Sequence, residues 1–284
     1  MILVTGATGS NGTEIVKRLA RGQVQVRAMV RNLDRASAIA LPHVEVVEGD
    51  FDRPETLLTA LAGVERAFLL TSSSEHAQAQ QIAFVDAARQ SGVAHIVKLS
   101  QFGADAHSPG RFQRYHAAVE AALQASGIAY TLLRPNLYMQ GLLNFRSTIA
   151  TQNAFYAAAG DAKVSAVDVR DIAEVAVATL TESGHEGKLY ELTGPQAPTH
   201  TEMAEGLSKA LGRRVAFVDI PPEAMRDALL GIGFPVWQAD GLGEEYALYR
   251  RGEAAAVTSG VQDALGKAPR DFEEFARDYA AMFS

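Results

Sequence analysis

One short stretch, GRFQRYHAAVE at positions 110–120, places side chains capable of moving a proton close together. Tyr115, His116 and Glu120 supply a phenol, an imidazole and a carboxylate, with no lysine among them. His116 and Glu120 are four residues apart, so on a helix they share a face and can form a hydrogen bond or half of a metal site. No third ligand accompanies them, and no metal is expected. Tyr115, one residue from His116, is expected on another face. The other chemical signal is VTGATGSNG, with Gly6, Gly9 and Gly12. Between a strand and a helix, Gly6 permits a tight turn, Gly9 lets backbone approach a pyrophosphate, and Gly12 lets the helix pack closely. Amides at the helix start then bind phosphate, with Thr8, Ser10 and Asn11 as added donors.

The residues after the next strand refine that reading. A fold that prefers NAD carries an acid about twenty residues beyond the glycines, to hold the ribose 2'-hydroxyl. Here VRAMVRN ends in Arg31 and Asn32, and a guanidinium suits a 2'-phosphate. NADP(H) is therefore the expected cofactor, and Asp34 is discounted. Asp50 and Phe51, in GDFD, fall where an adenine edge and face would rest. Thr71, Ser72 and Ser73 fall beside the ribose and nicotinamide end. Pro135, Asn136, Leu137 and Tyr138 follow the sixth strand and can line the same pocket, with Tyr138 and Phe145 as stacking surfaces for a flat ring. Lys98 reads as packing or surface, His185 as a solvated turn residue, and Trp237 as a lid or an anchor.

These residues need a scaffold at whose strand ends they gather. MILVT, VQVRAMV, VEVVEG, RAFLL, HIVKLS and YTLL read as buried strands. Helices are expected at 11–20, 54–61, 75–90 and 111–125, the second with Asp52 as its N-cap. The alternation implies an α/β Rossmann fold, a doubly wound parallel sheet. Residues 1–150 form the cofactor-binding domain, and 151–284 a smaller α/β substrate-side domain, with a segment near 163–192 returning to the sheet. Residues 136–160 are expected to be loop-rich, followed by a helix capped by Asp168 or Asp171, a strand at KLYEL, and helices near 201–211, 222–230 and 271–282. A short strand RVAFVDI separates the first two of those late helices.

Composition narrows the classes further. Of 284 residues, 48% are hydrophobic and 21% charged, enough for a sizeable core. A formal net charge of -7 provides no basic face for nucleic acid or anionic membrane. No cysteine is present, which removes disulfides and thiolate metal sites. A strand starting at Ile2 leaves no room ahead of it for a signal peptide, and no apolar run is long enough to span a bilayer. A soluble cytoplasmic protein is expected.

TGATGSNG, the Arg31 position, GDFDRPETL, SGIAYTLLRPNLYMQ and VDVRDIAEVA together resemble the NmrA-like group of atypical short-chain dehydrogenases. Within it, the stretch around GHEGKLYEL looks most like the bacterial type-2 NAD(P)H:quinone oxidoreductases and the triphenylmethane dye reductases. The resemblance implies an NADP(H) Rossmann domain with a small C-terminal domain over the nicotinamide. Short-chain dehydrogenases carry Tyr-x-x-x-Lys on the helix corresponding to 111–125. Here the tyrosine position falls on Phe112 and the lysine position on His116, so that acid–base pair is missing, while the HxxxE pattern of His116 and Glu120 matches the quinone reductase-like subgroup. Ser100 falls at the family's catalytic serine, and Ser100, His116 and Tyr138 are the catalytic candidates, His116 also placing the nicotinamide ribose.

General acid catalysis contributes roughly 10²–10⁴-fold. A ketone cannot forgo that, whereas a quinone leaves a stabilised hydroquinone anion and a carbocationic dye needs no proton. The expected function is an NADPH-dependent reductase of quinone-like or other electron-poor aromatic acceptors, possible as a homodimer. PNLYMQ and the TSSS loop should then wall an apolar pocket open enough for a ring. The alternative is an NADP(H)-sensing regulator without turnover.

Overall fold

The computed structural model describes residues 1–284. Nine strands run in chain order: β1 (Ile2–Val4), β2 (Val26–Val30), β3 (Val44–Glu48), β4 (Arg66–Leu69), β5 (His95–Leu99), β6 (Ala129–Pro135), β7 (Ala154–Ala157), β8 (Lys188–Leu192) and β9 (Ala216–Asp219). Seven form one sheet in the order β3-β2-β1-β4-β5-β6-β8, every pairing parallel. The order reverses beside β1, so the loops after β1 and β4 face each other across a crevice at the carboxyl ends of the strands. β7 and β9 pair in a separate parallel ribbon.

Eleven helices complete the chain. The first six are α1 (Ser10–Arg21), α2 (Pro54–Leu61), α3 (Ala77–Gln90), α4 (Arg111–Ala125), α5 (Arg146–Gln152) and α6 (Val169–Thr181). The rest are α7 (His200–Leu211), α8 (Pro222–Gly231), α9 (Val236–Arg250), α10 (Gly260–Leu265) and α11 (Phe272–Asp278). Strand residues alternate between the two faces of the sheet, and so feed two cores. Val4, Ala28, Phe68, Val97 and Leu133 point to α1 and α6, while Leu3, Met29, Ala67, Leu69, Ile96 and Leu132 point to α2, α3 and α4. A third core joins the elements after β6, with Phe155, Leu207, Phe275 and Phe283 at its centre. No helix is long and apolar enough to cross a membrane.

The segment expected to return does so: α6 packs beside α1, and β8 is the strand next to β6. Asp168, not Asp171, is the cap of α6, accepting from the Arg170 amide at 2.8 Å. Asp171 is held instead by Arg270. Three expectations need correction. The stretch 136–160 is not mainly loop, since it contains a 3-10 helix at Met139–Phe145, then α5 and β7. α9, fifteen residues long, has no counterpart in the sequence reading. The N-cap of α2 is Arg53 rather than Asp52, whose carboxylate accepts from Gln80 instead.

Candidate active site

The glycine loop is shaped by hard contacts. Gly6 takes φ +60°, a backbone conformation that residues with a Cβ rarely adopt. A Cβ on Gly12 would lie 2.1 Å from the Gly6 carbonyl oxygen and 2.7 Å from Ala7 Cα, both unyielding backbone atoms. Thr5 Oγ1 ties the loop to β4, donating to Phe68 O or Leu70 O at 3.0 and 2.9 Å and accepting from the Leu70 amide at 2.8 Å.

Gly9 caps α1 without a side-chain hydrogen bond, and the first intrahelical bond is Thr13 N to Gly9 O. The amides of Ser10, Asn11 and Gly12 thus have no intrahelical acceptor. Asn11 is buried, and its Oδ1 has no partner. A dinucleotide's pyrophosphate and nicotinamide half fit this cradle: open amides, a close backbone approach and an orphaned buried carbonyl. Thr8 and Ser10 are exposed on its rim, and Arg31 is exposed at the end of β2. Asn32 beside it is occupied as a 3-10 cap, accepting from the Asp34 amide.

The other candidates are more committed. Asp50 Oδ1 accepts from the Asp52 amide, and the Phe51 ring packs 5.8 Å from Phe84. Each leaves only an edge for an adenine. Thr71 Oγ1 accepts from Gln81, Ser72 is exposed, and Ser73 Oγ pairs with Tyr115 Oη at 3.1 Å. Pro135 O accepts from Phe102 N. The Asn136 side chain donates to Ser165 and the Ala254 carbonyl and accepts from Leu137 N, so it can offer position but no free amide. Tyr138 is half-buried, with its hydroxyl beside Asn11, and burial holds the phenol well above its ordinary pKa. Phe145 is half-buried, packing 6.0 Å from Phe155 at the edge of the third core.

On α4 the structure rearranges the expected partners. Phe112, Tyr115, His116, Val119 and Glu120 all lie on the buried side. The Tyr115 and His116 rings lie against each other, centroids 4.1 Å apart, so Tyr115 is not on a separate face. Its pKa is pushed up to about 12 by burial, only partly offset by the hydrogen bond with Ser73. His116 and Glu120 do not pair. Glu120 takes a two-pronged contact from Arg134 of β6, at 2.9 and 2.5 Å, and accepts from Ser100 Oγ. Lys98, placed above as packing or surface, is fully buried on β5, with Nζ 2.8 Å from His116 Nδ1 and 3.3 Å from Leu99 O. Burial lowers the amine to about 7, against the pull of Glu120. Burial, Lys98 and Arg134 together hold the imidazole well below its ordinary range, so it is neutral.

α9 closes this side. Arg111 binds Glu244 through both oxygens, and Trp237 packs on Phe112 and Tyr115 at 5.4 and 6.1 Å. Trp237 therefore anchors α9 to α4. A Cβ on Gly241 would lie 2.5 Å from the Phe112 ring, so the glycine lets the backbone of α9 pack directly on it. Glu245 is buried among three neutral donors, Gln101, Gln113 and Tyr249, and its pKa is raised by burial. With Asn136, Phe102 and Tyr249 it bounds a hollow of about 40 Å³. That volume holds about one water and no aromatic ring. The hollow is lined by none of residues 71–74, so it is not the ring pocket expected between the TSSS loop and PNLYMQ. A larger surface hollow, about 470 Å³, lies along the outer edge of β8 among Lys188, Glu191 and Asp263, and takes in none of the candidate residues.

Sequence reasoning missed Lys98, Glu245 and the destination of Tyr115. Lys98 carried a signal: a lone lysine in an otherwise apolar run, on a strand buried on both faces, must find a partner.

A doubly wound fold, a glycine cradle with open amides and a basic residue in place of the ribose-binding acid define a dinucleotide-binding protein of the Rossmann class. Comparison with known proteins narrows the class. The model of the NmrA-like family matches residues 1–276, and the chain belongs to that family. It is 38% identical to an NAD(P)H azoreductase of Xenophilus azovorans over 283 residues, covering 100% of this chain and 99% of the relative. Among solved structures it is similar to the NADPH-dependent quinone oxidoreductase of Escherichia coli complexed with NADPH. That match has a TM-score of 0.87 and 31% identity, covering 98% of this chain and 99% of the other. It is also similar to the Citrobacter sp. triphenylmethane reductase complexed with NADP(H), with a TM-score of 0.86, 31% identity, and 99% and 100% of the two chains covered.

Proposed function

We propose that the protein is an NADPH-dependent reductase of flat, electron-poor aromatic acceptors of the quinone or dye kind. A bound NADPH supplies a hydride there. The Gly6–Gly12 loop and the first amides of α1 hold the pyrophosphate, Arg31 holds the 2'-phosphate, and the 71–73 loop with Tyr138 and His116 bounds the nicotinamide end. Residues 1–150, with the returning segment near 163–192, make up the cofactor side, and the rest of 151–284 the acceptor side. The protein works in the cytoplasm.

The observation that carries this reading is the fate of the proton donors. Both phenols in reach, Tyr115 and Tyr138, have their pKa raised by burial, Tyr115 to about 12, and the nearby lysine, Lys98, is turned to His116 instead. An acid so far from neutral pH contributes little to protonating an alkoxide. Acceptors whose reduced form is already a stable anion tolerate that arrangement. Steady-state NADPH oxidation against a panel of quinones, azo dyes and simple ketones tests it: turnover of the first two and none of the third is expected, and ketone reduction would sink it.

The second reading, a sensor of NADP(H) without turnover, is favoured by one observation: Phe112 and His116 stand where short-chain dehydrogenases carry their catalytic tyrosine and lysine. NADPH binding with no oxidation by any acceptor in the panel would select it.

A further inference from the structure

Lys98 is a charge-capable group with no exposed atoms, set in the middle of the sheet, and the function above gives it no task. Its strand neighbours are Leu132 of β6 and Leu69 of β4, which carry no charge. No carboxylate lies within salt-bridge distance of it, and Glu120, whose charge reaches it, is engaged by Arg134 and Ser100. A packing role would be served better by leucine or methionine, since burying an amine costs several kcal/mol. The single side-chain contact that the amine makes is with His116 Nδ1. When the amine is an ammonium it can only donate, so Nδ1 is then the acceptor and the ring proton sits on Nε2.

We propose that Lys98 is a positioning residue that holds His116 in its Nε2–H tautomer and reloads that proton after each turnover. This rests on the reductase reading given above. Once an acceptor has taken up a hydride with its electron pair, it is left as an anion on oxygen or nitrogen. The Nε2–H bond of His116 then breaks as an O–H or N–H bond forms on the product. At the same time a proton passes from Lys98 Nζ to His116 Nδ1, leaving a neutral amine and a neutral Nδ1–H imidazole. A proton from solvent returns to Nε2, and the Nδ1 proton returns to the amine. The net uptake is one solvent proton, no electrons move in the relay, and the hydride step itself still needs no acid.

The groups facing this pair come from every packed element. Glu120 and Tyr115 belong to α4, and Arg134 to β6. Tyr138 after β6 and Glu245 of α9 lie beyond Tyr115. Glu120 is neutralised by Arg134, and both tyrosines are held well above neutrality by burial, so Lys98 loses its proton before either of them as pH rises, while burial raises the Glu245 carboxyl from its ordinary range.

The test is nitrogen NMR of labelled histidine in the full chain, together with kcat against pH using a quinone acceptor, for the parent, Lys98→Met and Lys98→Arg. In the parent, His116 should be Nε2–H at neutral pH, and kcat should decline above about pH 7. Lys98→Met should give mixed tautomers, a flat profile and about a tenfold lower kcat. Lys98→Arg should restore the tautomer but not the rate, because a guanidinium does not give up its proton to Nδ1, and its profile should be flat, without the decline above pH 7. A His116 that is Nδ1–H or doubly protonated in the parent overturns the proposal, and so does a decline that Lys98→Arg leaves in place. If Lys98→Met fails to fold, the parent and Lys98→Arg decide alone. If no acceptor is turned over, the reductase reading falls, while the tautomer of the parent still decides the role of Lys98.

Discussion

The cradle at the start of α1 and the polar knot between α4, β5 and β6 sit at the same end of the sheet but treat their polar atoms in opposite ways. In the cradle, three helix amides and Asn11 Oδ1 are left without protein partners. In the knot, Ser100, Glu120 and Arg134 satisfy one another, and Lys98 satisfies one nitrogen of His116. Leaving a buried polar group unpaired costs roughly 1–3 kcal/mol, so a fold retains such groups where a ligand repays them. A closed knot instead holds geometry. The difference separates residues that bind from residues that place, which residue type alone does not reveal.

The largest test of this contrast lies in the knot. Glu120→Gln leaves Arg134 largely buried without its counter-charge, and should cost roughly 3–5 kcal/mol in urea unfolding. NADPH affinity of the folded fraction should stay near that of the parent. In the cradle, Gly12→Ala should weaken NADPH about a hundredfold in titration calorimetry, since the added methyl meets backbone that cannot move. Arg31→Ala should weaken NADPH about ten- to a hundredfold and leave NADH unchanged. Equal preference for the two cofactors in the parent would refute that assignment.

Two smaller effects sharpen the comparison. The amine of Lys98 has its pKa lowered to about 7 in the fold, against about 10.4 when unfolded. The unfolded chain therefore binds the extra proton between those values, and stability attributable to Lys98 rises with pH across that window. The parent-minus-Lys98→Met difference in unfolding free energy should climb by up to about 1.4 kcal/mol per pH unit there. A flat difference would mean that the amine is not held as described. Smallest of all, Asn11→Ala should leave the cofactor-free protein as stable as the parent by thermal unfolding and weaken NADPH by less than about tenfold.

Much of this was readable beforehand where a local rule governs. The six main strands are short runs of Val, Ile and Leu, and the glycine spacing marks the strand-to-helix turn whatever follows. α2 and α4 begin and end at the residues that the pattern suggests. α9 was invisible because its sequence VWQADGLGEEYALYR has almost no apolar stripe and carries two interior glycines, Gly241 and Gly243. One of them is there because Phe112, 129 positions away by number, occupies the space of a side chain. The α4 residues were named correctly as a group, yet their partners were not. Neither the direction of Tyr115 nor the pairing of Glu120 with Arg134 is a property of helical spacing; both depend on strands that join the helix only in three dimensions.

Thr5 carries a last consequence, in time rather than space. Its hydroxyl fastens the glycine loop to Phe68 and Leu70, and β1 is paired on one side by β2 and on the other by β4. On a growing chain the glycine turn is made before β4, and the Thr5 bonds that hold it cannot form until that strand has emerged and docked. Contacts of that sequence separation form slowly, because closing the intervening loop costs entropy before it is repaid. The glycine turn, made before the strand that secures it, is thus among the last parts of the sheet to become competent.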